Sequence, residues 1–292
     1  PAIDRKDGLD AARIDEGVKQ FGFGSDPGID LPYAFDGTVP DAELKKRYAE
    51  MGVISKDEGR GYFTGDNVQL AIGQGLLSAS PLQLAVGYST IASEGRVLKP
   101  EIIKAVYLPG VPDAATQGYA NLAVAKLAEE PNTSGEVVRT IDAPPEYWGE
   151  IKAGLRRVIK GPGTTSDIYH STTGENLFYN YPAEAIPLAG KTGTAQGAGN
   201  YPWNDSSAFA AFSIDPTRPY TVTAYLEKAG YGSQGAAPVV KCIYLQLSGS
   251  VRADPVVLSE ALDTSSTEPA PQRNLADPSC FNGRFAYATT TE

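Results

Sequence analysis

Apolar runs in the second half of the chain predict a small antiparallel sheet. Ser207–Ile214 and Tyr220–Glu227 have strand composition, and the connector Asp215-Pro216-Thr217-Arg218-Pro219 has the residues of a turn, so the pair reads as a hairpin. Leu188–Thr194 supplies a third candidate strand. After Pro238 the spacing of Val239, Val240, Ile243 and Leu247 predicts a helix whose apolar face covers that sheet. Further upstream a helix is expected from about Pro81 to Ser93, with Ser80 as its cap, Pro81 in its first position, Leu84, Tyr88 and Ile91 on one face, and Gly95 at its exit. Trp148, Ile151, Leu155, Val158 and Ile159 predict a second helix ending at Gly161, its apolar stripe in the core. Residues 109–142, rich in Ala, Pro, Thr and acidic side chains, read as a surface insertion with a short helix around Leu122 to Leu127. Residues 250–292 are poor in apolar side chains and read as a tail. The fold class expected is α/β (α+β), an antiparallel sheet covered by helices.

Composition narrows the function classes. With 292 residues, 41% hydrophobic and 21% charged, the chain can bury a large core as one domain or one and a half. No apolar run approaches the roughly eighteen residues of a membrane span, and no signal peptide opens the sequence. Twenty-five basic against thirty-five acidic side chains give a net charge of −10, which disfavours nucleic acid and anionic lipid as partners. Cys242 and Cys280 can pair in an oxidising compartment, but a buried free thiol at Cys242 fits its helical setting equally, so the pattern commits to neither a disulfide nor a metal. His170 is the only histidine and has no nucleophile elbow near it, so it reads as a loop or surface residue rather than part of a catalytic relay. No cofactor is called for.

The most informative segment is Gly190-Lys191-Thr192-Gly193-Thr194-Ala195-Gln196. It is not a phosphate-binding loop, because Ala185 occupies the position of that loop's first glycine and the residues after Lys191 are poor helix formers. Standing alone it would pass for an ordinary glycine-containing strand end. It resembles the Lys-Thr-Gly motif of penicillin-recognising enzymes. Other segments extend the likeness. Gly65-Asp66-Asn67, Leu70-Ala71-Ile72-Gly73-Gln74-Gly75, Ser80 to Ala85 and Ile91 to Gly95 resemble a stretch of the class B penicillin-binding transpeptidases. Phe21-Gly22-Phe23-Gly24 with Gly28 to Pro32 is similar to the loop after that family's second catalytic motif, and Gly161 to Thr165 to a segment preceding its catalytic strand, with Thr165 in place of an alanine. The resemblance covers roughly residues 9–108 and 147–248.

That resemblance implies a serine β-lactamase or D,D-transpeptidase fold over residues 1–249, and acyl transfer from D-alanyl-D-alanine stem peptides during peptidoglycan cross-linking, with β-lactams as mimics. It implies that Lys191 supports proton transfer and attracts the substrate carboxylate, and that Thr192 and Thr194 offer that carboxylate their hydroxyls. Gly193 lets the substrate backbone lie along the strand, and the Thr194 N–H is one oxyanion donor. Tyr201 and Trp203 either shape the entrance or pack, and Tyr231-Gly232-Ser233-Gln234-Gly235 lies near the rim. Neither Ser-x-x-Lys nor Ser-x-Asn occurs in the sequence. The chain is therefore expected to be a carboxy-terminal piece, inactive alone, whose nucleophile belongs to the amino-terminal part of the same protein. Further partners implied are stem peptides and a membrane glycosyltransferase of the elongation machinery. The parent would face the cell wall from a membrane anchor outside this chain. The alternatives are a non-catalytic penicillin-binding sensor or scaffold and, less favoured, a β-lactamase.

Overall fold

Ser80 begins a helix as its sequence context predicts. Its hydroxyl accepts from the Gln83 N–H at 3.1 Å while the Gln83 side-chain oxygen accepts from the Ser80 N–H at 2.9 Å, a capping box with Pro81 in the first turn. The computed structural model describes residues 11–102, 106–108, 126–129, 135–160, 178, 181–197 and 205–248. Contacts divide the chain into two units, residues 1–67 with 76–142 and residues 68–75 with 143–292.

The first unit contains α1 (Ala11–Gln20), α2 (Ala42–Glu50), the first half of α3 (Thr64–Ala71), whose second half belongs to the second unit, and α4 (Pro81–Ala92). It also holds the strands β1 (Arg96–Leu98), β2 (Val106–Leu108), β3 (Lys126–Glu129) and β4 (Val137–Thr140). β1 pairs antiparallel with β4, and β2 with β3. The short helix expected around Leu122 to Leu127 is thus corrected, since Lys126 and Leu127 lie in a strand whose ladder with Val106–Leu108 overrides local helical preference. Residues 122–125 lie outside the described residues. Asp41 caps α2 by accepting from the Leu44 N–H. Lys45 is buried against Asp66 at 2.5 Å, with its ammonium 4.8 Å from the centre of the Phe63 ring.

Gln83 ties this unit together. Its side chain is 1% exposed, and its amide nitrogen donates to the carbonyls of Gly22 (3.3 Å), Ser25 (2.9 Å) and Asp36 (2.7 Å), so one residue of α4 holds both ends of the glycine-rich loop. Gly37 continues that loop at φ +68°, where a Cβ would stand 2.3 Å from the Ser78 carbonyl. Gln83→Ala strands buried carbonyls and half of the capping box, and is expected to lower stability by about 2–4 kcal/mol. Urea unfolding measures it, and a loss below about 1 kcal/mol would contradict the tie.

The second unit is built on the predicted sheet. β5 (Leu188–Ala195), β6 (Ser206–Ser213) and β7 (Thr221–Leu226) run antiparallel in the order β5-β6-β7, with Leu188 opposite Ser213 and Ala195 opposite Ser206. α5 (Pro145–Ile159) packs on β5, and α6 (Ala236–Leu247) on β6 and β7. Leu188, Phe209 and Ala211 meet Val158, Ile159, Val240, Tyr244 and Leu245 in one core with Phe178 and Tyr181.

Two helix faces differ from the sequence reading. In α5, Trp148, Val158 and Ile159 are buried but Ile151 is 42% exposed. In α6, Ile243 and Leu247 are 37% and 42% exposed, because the covering face is Ala236, Ala237, Val240, Lys241, Tyr244 and Leu245. The small Ala236 and Ala237 let the helix approach the sheet, and the Tyr244 hydroxyl reaches the carbonyls of Ala211 (2.9 Å) and Tyr220 (3.0 Å). Burial pushes the phenols of Tyr181 and Tyr244 upward and that of Tyr88 up to about 12, so all three stay protonated at neutral pH. Cys242 is disulfide-bonded rather than a free thiol. Among the described residues no helix is long and apolar enough to cross a membrane.

Candidate active site

Among the described residues β5 stands at the edge of its sheet, so half of its backbone polar groups face away from β6. Which half follows from the register. The Ile214 N–H donates to the Pro187 carbonyl at 2.9 Å, which turns odd-numbered residues toward β6 and even-numbered residues outward. The outward carbonyls bear this out: Thr192 O accepts from the Lys191 ammonium at 3.0 Å, and Thr194 O accepts from the side-chain amide of Gln74 at 2.9 Å. In an extended strand a residue's N–H and C=O point to the same side, so the N–H groups of Thr192 and Thr194 also lie on this open edge.

Side chains alternate across the same strand. Lys191 and Gly193 occupy one face, Thr192 and Thr194 the other. Lys191 is exposed, and its ammonium also lies 3.3 Å from the Thr192 hydroxyl. Gly190, Lys191's neighbour, is buried where a Cβ would meet the Ala210 carbonyl at 2.8 Å.

The turn before α6 is fitted against the motif. A Cβ on Gly232 would lie 2.4 Å from the Gly193 carbonyl oxygen and 2.5 Å from that of Ala208, so only a glycine allows this approach. The Gly232 N–H donates to the Thr194 hydroxyl at 3.2 Å. Below it, the fully buried Ser207 hydroxyl donates to the Tyr231 carbonyl (2.9 Å) and accepts from the Ala236 N–H (2.8 Å), which locks the turn to β6. The structure therefore brings Lys191, Thr192, Gly193, Thr194 and the 231–235 turn together. Tyr201, Trp203, His170 and residues 161–165 lie outside the described residues. Among the described residues no group of His, Cys, Asp and Glu is placed to hold a metal.

Gln74 carries no role in the sequence reading, although its segment resembles the class B transpeptidases. α3 ends in a Schellman motif in which Gly73, at φ +73°, donates to the Leu70 carbonyl (3.0 Å) and Gln74 to the Gln69 carbonyl (2.9 Å). Gly75, at φ +75°, turns the chain again. A glutamine held between two left-handed glycines is a local signal of a presented side chain. Its target, 120 residues away, has no local signal.

Known sequences match most of this chain. The profile of the penicillin binding protein transpeptidase domain family matches residues 4–245. The chain belongs to that family. Among curated relatives of this transpeptidase domain, peptidoglycan D,D-transpeptidase MrdA of Salmonella typhimurium is 24% identical over 243 residues, 79% of this chain and 33% of that protein. MrdA of Haemophilus influenzae is 27% identical, over 78% of this chain and 31% of that protein. The chain thus spans about a third of the length of these relatives. The crystal structure of Pseudomonas aeruginosa PBP2 in complex with WCK 5153 superposes with a TM-score of 0.58 at 24% identity, covering 80% of this chain and 43% of that one. A second structure, described as structural coordination of polymerization and crosslinking by a peptidoglycan synthase complex, gives a TM-score of 0.56 at 23% identity, over 81% of this chain and 33% of that one. The transpeptidase fold, helices around an antiparallel sheet, is the serine β-lactamase-like architecture.

Proposed function

We propose that this chain forms the Lys-Thr-Gly side of the active site of a class B peptidoglycan D,D-transpeptidase. The observation that carries this is the open edge of β5, where the N–H groups of Thr192 and Thr194 point outward beside the exposed ammonium of Lys191.

On this reading an extended stem peptide lies along β5 as an added strand, and Gly193 leaves room for it. Lys191 attracts the terminal carboxylate and supports proton transfer at the nucleophile, while Thr192 and Thr194 flank the same carboxylate. The Thr194 hydroxyl already accepts from Gly232, which orients its own proton toward an incoming acceptor. A serine hydroxyl attacks the carbonyl of the penultimate D-alanine and the Thr194 N–H holds the developing oxyanion. The C–N bond breaks, terminal D-alanine leaves with a proton, and an acceptor amine then attacks the serine ester and restores the hydroxyl. Since no Ser-x-x-Lys occurs in these residues, we infer that the serine comes from elsewhere in the parent protein and that this chain alone is inactive. The names of the MrdA relatives and of the synthase complex support placing the parent on the cell-wall side of the membrane, beside a glycan polymerase.

The test uses the full-length gene product with a pentapeptide donor and an isotopically labelled acceptor amine. Release of D-alanine with labelled cross-link supports transpeptidation. Release without cross-link supports a hydrolase instead, and neither product supports the sensor or scaffold.

A further inference from the structure

We propose that Gln74 is a positioning residue for the oxyanion donor, an inference that rests on the transpeptidase reading. Thr194 lies one residue from the end of β5, follows a glycine, and among the described residues has no neighbouring strand on its outward side. Nothing in the β5–β6 ladder restrains that side, because the pairing of Thr194 with Ser207 leaves the Thr194 N–H and C=O both turned away from β6. Gln74 supplies the missing restraint. Its amide donates to the Thr194 carbonyl at 2.9 Å, in place of the strand that would otherwise be there. The donor N–H and this carbonyl flank one Cα, so holding the carbonyl limits rotation about that residue's backbone and keeps the N–H aimed outward.

The geometry behind Gln74 is itself fixed. The Schellman motif at Gly73 binds the Gln74 N–H to Gln69, and a Cβ on Gly75 would crowd Gln69 at 3.1 Å, so the side chain leaves a backbone with two left-handed turns and little freedom. Both partners belong to the second unit.

The experiment compares wild type, Gln74→Ala and Gln74→Glu in the full-length protein, with stopped-flow acylation by a fluorescent penicillin separating the binding constant from the acylation rate constant. A lost oxyanion donor costs about a hundredfold to a thousandfold, and a misaligned one a part of that. Gln74→Ala is expected to lower the acylation rate constant about tenfold to a hundredfold, with the binding constant within about threefold and a melting temperature within about 4 °C of wild type. Gln74→Glu, which sets a carboxylate oxygen against the carbonyl, is expected to be no faster than Gln74→Ala. An acylation rate constant within twofold of wild type for Gln74→Ala would overturn the proposal, as would a loss that merely tracks a large fall in melting temperature. The ¹³C carbonyl resonance of Thr194 reports the contact independently of activity. A shift in Gln74→Ala supports the contact and an unmoved resonance overturns it. A wild-type protein that is never acylated overturns the transpeptidase reading and the positioning role with it.

Discussion

Lys191→Ala in the full-length protein is expected to lower the acylation rate by a fluorescent penicillin about 10²- to 10⁴-fold, the range lost when a positioned proton-transfer group is removed. The ammonium is the exposed charge on an otherwise uncharged strand, and its bonds to Thr192 O and near Thr192 Oγ1 keep it at the open edge rather than folded away. Those contacts are local and solvent-facing, so stability should change by less than about 0.5 kcal/mol. Lys191→Arg keeps the charge but replaces a compact ammonium with a planar fork, and is expected to recover little of the rate. Stopped-flow labelling and thermal melting together read this prediction. Normal labelling of Lys191→Ala would remove Lys191 from the chemistry and leave the motif a structural strand.

Gly232→Ala should have the largest effect on the fold near the site. The added methyl would stand 2.4 and 2.5 Å from two backbone carbonyl oxygens and 2.8 Å from the Gly193 nitrogen, and backbone atoms of a paired strand cannot move aside as a flexible side chain would. The turn must shift away from β5. That breaks the Gly232–Thr194 bond and strains the Ser207 bonds to Tyr231 and Ala236, so α6 loses the anchor of its first turn. Overpacking of this kind costs about 1–3 kcal/mol, and unmade buried hydrogen bonds add about 1–3 kcal/mol more. The expected result is a loss of about 3–5 kcal/mol in urea unfolding, accompanied by slowed acylation. A change below about 1 kcal/mol would mean that the turn is not seated on Gly193.

Much of this was legible in the chain itself. The β5–β6–β7 order follows from two apolar runs flanking a Pro-rich connector and a third ahead of them, since turn chemistry and strand composition are local. Ser80, Pro81 and Gln83 announce α4 for the same reason. The phase of α6 was not legible, because its buried face mixes Val240 and Leu245 with two alanines, a lysine and a tyrosine, while Ile243 and Leu247, also large and aliphatic, are partly exposed. Strand β3 was not legible either, since its register with Val106–Leu108 is set across the chain and Lys126–Glu129 has no strand composition of its own. At the site, the motif identifies Lys191 and the two threonines, but the direction in which Thr194 points depends on register. Register is fixed across strands, as in the bond from Ile214 to Pro187, and no single segment encodes it.

The central claim is that the open edge of β5 forms one wall of a β-lactam and stem-peptide site completed by a serine from elsewhere in the parent protein. Intact mass spectrometry of the full-length gene product, before and after incubation with benzylpenicillin, tests it most directly. One covalent penicillin per molecule is expected, on a serine outside these residues, with no adduct on Lys191→Ala in the same interval. A folded, cooperatively melting wild-type protein that stays at its unmodified mass would contradict it.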